Sequence, residues 1–309
     1  MPLDPQARML LDSMAGAPPL HTVPIELLRQ GEAASVAMLG APEPVAKVEN
    51  REIDGPAGPV PVRIYTPEGH GPFPILIIMH GGGWILGNLD TFDVYNRAVT
   101  NRAGCISISV DYRLAPENKF PVPLEDCYAV LQWAAEHGAQ LGGDSKRLAI
   151  LGDSAGGNLA AGLALLARDR GGPKIIFQVL VNPALEYPDP GTPSMQELGD
   201  GKYGISRESL RYGLDIYLQG EADRQNPYFA PPRSDNLAGL PPALVLTAEY
   251  DPLRDEGEIY AEKLREAGVS VQAKRYDGVL HGWVVMAVMM DKGKQALIDI
   301  GAALRAVFE

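Results

Sequence analysis

Residues 148–168 read LAILGDSAGGNLAAGLALLAR. The first four positions form an unbroken apolar run, and the stretch from Asn158 onward repeats apolar residues at helical spacing. Between them stands Gly152-Asp153-Ser154-Ala155-Gly156, a serine with a glycine two positions to either side. A strand that turns this sharply into a helix strains the residue at the bend. Glycines two before and two after let neighbouring backbone come close. The turn lifts the serine hydroxyl above the sheet and aims the helix N-terminus, with its free N–H groups and positive dipole end, at a reacting carbonyl. G-x-S-x-G alone is a weak signal, because small-residue turns produce it by chance. The strand before it and the helix after it carry the reading.

Outward from this turn, short apolar runs alternate with longer helical patterns. The runs Ala46–Ile53, Val60–Tyr65, Ile75–Met79, Cys105–Val110, Leu148–Leu151, Ile175–Val181, Ala243–Thr247 and Val271–Tyr276 are expected as strands. ILIIM and IIFQVLV are apolar almost throughout, the pattern of strands buried on both faces of a parallel sheet. Helices are expected near 92–103, 124–138, 155–168, 254–267 and 292–307. Strand followed by helix, several times over, predicts an α/β fold: a doubly wound, mostly parallel eight-stranded sheet with helices on both faces. The turn Asp54-Gly55-Pro56-Ala57-Gly58 joins the first two strands and predicts an antiparallel hairpin at the sheet edge.

Composition excludes several function classes. The 309 residues include 27 Lys+Arg and 39 Asp+Glu, a formal charge of −12. A surface that negative repels phosphate backbones and anionic lipid, so no nucleic-acid partner is expected. The longest apolar run, Trp283–Met290, falls far short of the ~20 residues that span a bilayer. The first residues, MPLDPQARMLLDSM, are broken by Asp4, Arg8 and Asp12 and have no signal-peptide apolar core. A cytoplasmic protein with no stable membrane insertion, monomeric or homodimeric, is the expectation. Cys105 and Cys127 match no zinc or redox spacing and are expected to be buried free thiols. No His-rich or Cys/His cluster calls for a metal or other cofactor.

Two further motifs complete a reaction centre. His80-Gly81-Gly82-Gly83-Trp84 follows the strand ILIIM. Three consecutive glycines are entropically costly, and the return is a loop whose bare N–H groups converge on an oxyanion. Gly82 and Gly83, with Ala155 across the gap and Gly81 as a further candidate, are the expected donors. His80 is read as a structural residue that fixes the loop. His281, in Val279-Leu280-His281-Gly282-Trp283, follows the last strand. It is the one histidine of five that comes after the serine on a post-strand loop. Asp251 follows the strand ALVLT and precedes Pro252, so it also reads as a helix-capping residue. Asp255, Glu256 and Asp277 are weaker rivals for the acid. The order Ser154, Asp251, His281, each just past a strand's C-terminal end, favours Asp251, because ligands bind at that edge of such sheets.

Taken together, HGGGW at 80–84, DYRLAPE at 111–117, GDSAGG at 152–157, DPLRDEG at 251–257 and HGW at 281–283 resemble the hormone-sensitive-lipase group of α/β-hydrolases, the bacterial family IV esterases. The resemblance implies an α/β-hydrolase fold, the catalytic triad Ser154, Asp251 and His281, and an oxyanion hole from Gly82, Gly83 and Ala155. It also implies hydrolysis of esters with short to medium acyl chains. The alternatives are an amidase or peptidase with the same triad, or a non-catalytic ligand-binding protein. Where the family often has Phe after His-Gly, this chain has Trp283, which, like Trp84, is expected to contact substrate. Asp111, Arg113 and Glu117 are expected to pin loops, and Asp153 to anchor its own.

Residues 1–45 and 185–228 stand outside the alternation. Both carry apolar residues at helical spacing, such as Met9, Leu10 and Met14, and Leu210, Leu214 and Tyr217. Apolar stripes need a surface to bury against, and the resemblance implies a helical cap built from these segments. Residues 46–184 and 229–309 then form the catalytic domain.

Overall fold

The computed structural model describes residues 1–188 and 191–309; Asp189 and Pro190, in the Pro/Gly-rich stretch, lie outside the described residues. Eight strands form one sheet: β1 (Lys47–Gly55), β2 (Gly58–Thr66), β3 (Phe73–Met79), β4 (Ile106–Val110), β5 (Gly143–Asp153), β6 (Ile175–Val181), β7 (Ala243–Tyr250) and β8 (Val271–Leu280). Their order is β1-β2-β4-β3-β5-β6-β7-β8. β1 and β2 make the expected antiparallel hairpin, with Gly55 opposite Gly58, and β2 runs antiparallel to β4. Every other pairing is parallel.

The apolar runs follow from burial on both faces. Along β3, Ile75, Ile77 and Met79 enter one core cluster while Leu76 and Ile78 enter the other. The first face is covered by α4 (Val122–His137), α5 (Ala155–Asp169) and α9 (Arg254–Glu266). The second is covered by α3 (Asp93–Ala103) and α10 (Asp291–Phe308). Cys105 and Cys127 are buried free thiols in opposite clusters, so no disulfide joins them. No described helix is long and apolar enough to cross a membrane.

β5 and β8 extend furthest beyond their apolar runs. β5 begins at Gly143 rather than Leu148, because the polar residues Gly143–Arg147 extend it toward Phe73 past a register shift. β8 continues to Leu280, past a shift opposite Ala248 and Tyr250, which brings its end directly to His281.

Residues 1–45 hold α1 (Pro5–Ser13) and α2 (Ile25–Ser35). The insertion after β6 holds α6 (Pro193–Leu198), α7 (Arg207–Tyr217) and α8 (Glu221–Arg224). Leu210, Leu214 and Tyr217 of α7 are buried as their spacing predicts. Met9 and Met14 differ: they are 72% and 43% exposed. The buried residue of α1 is Ala7, because Asp4 ties the helix start to Gly278 and Lys292 and so turns the Ala7 face inward.

Candidate active site

β5 ends at Asp153 and α5 begins at Ala155, leaving Ser154 alone at the bend. Its φ of 56° and ψ of −117° are a conformation that non-glycine residues rarely adopt. The flanking glycines are required by contact. A Cβ on Gly152 would lie 1.9 Å from the carbonyl oxygen of Gly156, and one on Gly156 would lie 2.1 Å from that of Met79. The bend is held by Ser154 N–H donating to Val181 at 2.8 Å and by the Ser154 carbonyl accepting from Asn158 at 3.1 Å.

His281 and Asp251 arrive from the ends of β8 and β7. His281 Nε2 lies 2.9 Å from Ser154 Oγ, and Nδ1 lies 2.7 Å from Asp251 Oδ2. Asp251 is fully buried, and its Oδ1 accepts the Leu253 N–H at 2.9 Å. Burial opposes protonation of His281. The charge and hydrogen bond of Asp251, aided by Asp153, outweigh it and hold the imidazole pKa above its ordinary value.

The glycine loop leaves β3 against the bend. A Cβ on Gly81 would lie 2.9 Å from Asp153 Oδ2 and 3.4 Å from Ser154 Cβ. Gly82, Gly83 and Trp84 all take positive φ, at 119°, 59° and 61°. His80 is buried, donates from Nδ1 to the Gly81 carbonyl at 2.8 Å and stacks on Tyr112 at 4.2 Å. Burial pushes its pKa down to about 4, so it is neutral and structural. Above Ser154 opens a cavity of about 370 Å³ whose wall includes Gly81, Gly82, Gly83, Ala155 and His281. A more open depression of about 500 Å³, bordered by Arg63, Asp90, Asp93 and Arg97, contains none of these groups. Its charges pair with one another.

Residues 76–285 match the profile of a family described by its alpha/beta hydrolase fold. This chain is an α/β-hydrolase. It is 42% identical to esterase LipI of Mycobacterium tuberculosis over 269 residues, 85% of this chain and 83% of that one. It is 37% identical to an arylesterase of Saccharolobus solfataricus over the full length of both. A solved hyperthermophilic esterase from Pyrobaculum calidifontis superposes with a TM-score of 0.96 at 39% identity, covering 99% of each chain. Within the α/β-hydrolases it is a member of the hormone-sensitive-lipase-like group.

In this α/β-hydrolase two of the rival acids are occupied elsewhere. Asp255 accepts the Ser194 N–H at 2.7 Å and Arg254 Nε at 2.8 Å. Glu256 Oε2 accepts the N–H groups of Leu185 and Glu186 at 2.8 and 3.1 Å. Burial raises the Glu256 pKa to about 8 against those two bonds. Asp277 is exposed on β8. Asp153 is buried with Oδ1 unpartnered, and burial lifts its pKa to about 6. Arg113 pairs with Asp126, and Glu117 takes both terminal nitrogens of Arg29 at 2.9 and 3.0 Å. Asp111 makes no ion pair among the described residues; only its backbone N–H is tied, to Pro61 at 3.0 Å.

Trp84 lines the cavity and stacks on Tyr217 at 4.9 Å. Trp283 does not. The turn at Gly282, with φ of 78°, carries its ring into the core beside Tyr276 at 5.2 Å, where it is fully buried. Val285 and Met286 stand on the wall instead. Sequence reading also missed Leu20, Tyr203 and Ser209 on that wall. No motif marks them, since they come from segments recognised only as standing outside the strand–helix alternation.

Proposed function

We propose that this carboxylic ester hydrolase works by two-step acyl transfer, with Ser154 as nucleophile, His281 as general base and Asp251 as orienter. The supporting observation is the continuous hydrogen-bonded chain from Ser154 Oγ through both ring nitrogens of His281 to Asp251, at 2.9 and 2.7 Å. His281 removes the Ser154 proton as Oγ attacks the ester carbonyl, and Asp251 stabilises the imidazolium that forms. Backbone N–H groups of Gly82, Gly83 and Ala155, with Gly81 beside them, take the developing oxyanion. The alcohol leaves with the proton from His281, and water repeats the sequence to release the acid.

The relatives carry the names esterase, arylesterase and carboxylesterase, which supports esters as the substrate class. Residues 1–45 and 185–228 act as a cap over Ser154, supported by Leu10, Met14 and Leu20 facing Ile205 and Leu210 around one cavity. A space of about 370 Å³ suits short to medium acyl chains, with Trp84 contributing to its wall. The free thiols fit a reducing compartment, and we read the enzyme as cytoplasmic, acting as a monomer or homodimer. A p-nitrophenyl butyrate assay tests the activity, with a phosphonate adduct mapped by mass spectrometry. Turnover with label on Ser154 alone is expected. Absence of turnover, or label elsewhere, would overturn the reading; faster cleavage of the matched p-nitroanilide would make the enzyme an amidase.

A further inference from the structure

The cap side of the cavity is largely aliphatic, yet two hydroxyls in it have no part in acyl transfer. Besides Ser154, only Tyr203 and Ser209 bring hydroxyl groups to the described wall. Tyr203 packs its ring on Tyr250 at 4.8 Å. Ser209, in the first turn of α7, is held differently. Ser206 Oγ accepts the Ser209 N–H at 3.1 Å and donates its own proton to Ser209 Oγ at 3.0 Å. From the N-terminal segment, His21 Nδ1 lies 3.4 Å from the same oxygen.

A serine hydroxyl has two lone pairs and one proton. His21 Nδ1 accepts the Ser209 proton in one tautomer and donates to Ser209 Oγ in the other. In the Nδ1–H tautomer, the one a ligand oxygen on Ser209 selects, Ser206 and His21 both donate to Ser209 Oγ and fill its lone pairs. The remaining proton then needs an acceptor, and no carbonyl takes it among the described residues. The open side is the cavity. An unmet hydroxyl in an aliphatic wall is unfavourable, whereas one met by a ligand oxygen discriminates strongly between ligands that carry that oxygen and ligands that lack it.

We propose that Ser209, set by Ser206 and His21, donates a hydrogen bond to a second oxygen of the substrate, an acceptor other than the scissile ester group. The enzyme thereby favours esters carrying an ether or keto oxygen over plain alkyl esters of the same shape. This rests on the acyl-transfer reading above and names the substrate class for that same site. Because His21 and Ser209 belong to different cap segments, the preference exists only when both are in place.

The test compares kcat/KM for two isosteric pairs on the full-length protein, each normalised to its alkaline hydrolysis rate. The acyl arm is p-nitrophenyl pentanoate against p-nitrophenyl 3-methoxypropanoate. The alcohol arm is butyl acetate against 2-methoxyethyl acetate. Ser209→Ala should lower kcat/KM for the oxygen-bearing ester of one arm by roughly three- to tenfold, the worth of one hydrogen bond. Its plain partner should stay within about twofold, and Ser209→Thr should retain the wild-type ratio. The responding arm tells which side of the substrate carries the recognised oxygen. An unchanged ratio in both arms, or an equal loss on all four esters, would overturn the proposal. Wild-type turnover of the plain esters checks the acyl-transfer reading separately.

Discussion

Asp251 and His281 meet through a 2.7 Å hydrogen bond from Nδ1 to Oδ2, while the other oxygen of Asp251 takes the Leu253 N–H. One carboxylate thus forms the turn before α9 and orients the imidazole. The bond keeps the proton on Nδ1 and leaves the Nε2 lone pair for Ser154. Asp251→Asn should fold but lose about 10⁴ in kcat by favouring the wrong tautomer. Asp277→Asn, on the exposed part of β8, should cost less than about tenfold. Steady-state kinetics on both variants decides the matter; a crippled Asp277→Asn with a mild Asp251→Asn would reverse the assignment.

The positive φ of Ser154 separates activity from stability. Ser154→Ala and Ser154→Gly should each lower kcat by roughly 10⁴–10⁶, since both lack the proposed nucleophile. Alanine keeps the strain at φ 56°, whereas glycine relieves a backbone cost of about 1–3 kcal/mol. Differential scanning calorimetry should therefore show Ser154→Gly melting a few degrees above Ser154→Ala, at about 2–4 °C per kcal/mol. Equal melting temperatures would mean that the bend stores no strain.

In the proposed mechanism His281 sets the acid limb of the pH profile. Only the neutral imidazole accepts the Ser154 proton, so kcat/KM falls as pH drops through its pKa. Asp251 and Asp153 raise that pKa against the effect of burial, which places the midpoint above the ordinary value of about 6.5. The stabilising part of this interaction has the opposite course: it is complete below about 6.5 and is lost as pH rises through the raised value. A kcat/KM profile on an uncharged ester, with EDTA present throughout, tests the limb. A midpoint at or below about 6.5 would contradict the charge balance found around the ring.

Glu256 gives stability its own pH dependence. Its folded pKa of about 8 lies above the ordinary 4.5, so the folded state holds a proton that the unfolded chain releases. Stability is then lost between those two values as pH rises. Glu256→Gln removes that loss, and its melting temperature relative to wild type should rise by roughly 5 °C from pH 5 to pH 9. A constant difference across that range would show the group to be ionised throughout.

Removing residues 1–22 takes away Leu10, Met14 and Leu20 from the cavity wall while leaving α2 attached. In a p-nitrophenyl ester series the truncated protein should lose its preference for C4–C8 over C12 chains. Its kcat/KM on short chains should fall more than its melting temperature. An unchanged chain-length profile would remove this segment from the proposed cap.

What the sequence announces depends on how local the signal is. Ile75–Met79 and Ile175–Val181 declare buried strands because both faces must be apolar, and Ser154 declares its turn because Gly152 and Gly156 cannot be anything larger. The hydrogen-bonded meeting of Asp251 and His281 agrees with their places after strand ends in the chain order. The place of Trp283 was not legible, since a single positive-φ turn at Gly282 sends it to the core rather than the pocket. Met9 shows the same limit: its spacing fits an apolar stripe, but the anchoring of Asp4 decides which face of α1 is inside. Pairs such as His21 with Ser209 join positions 188 apart, and no periodicity in either segment encodes the partner.

Arg29 of α2 bonds to Glu117, and also to the carbonyls of Ile85 and Ala115 at 3.0 and 2.9 Å; nearby, Glu32 accepts the Gly87 N–H at 2.9 Å. The strand of chain just beyond the glycine loop is therefore clamped from a segment that precedes the whole sheet. Exchange of the residue 1–45 segment is constrained as a result. A chimaera that imports a foreign residue 1–45 segment inherits a new pocket wall. It positions the 81–87 loop correctly only if the donor presents a guanidinium and a carboxylate one helical turn apart, in the places of Arg29 and Glu32. Grafts should accordingly be cut after α2's charged face has been matched, and libraries that vary substrate scope should hold those two positions fixed.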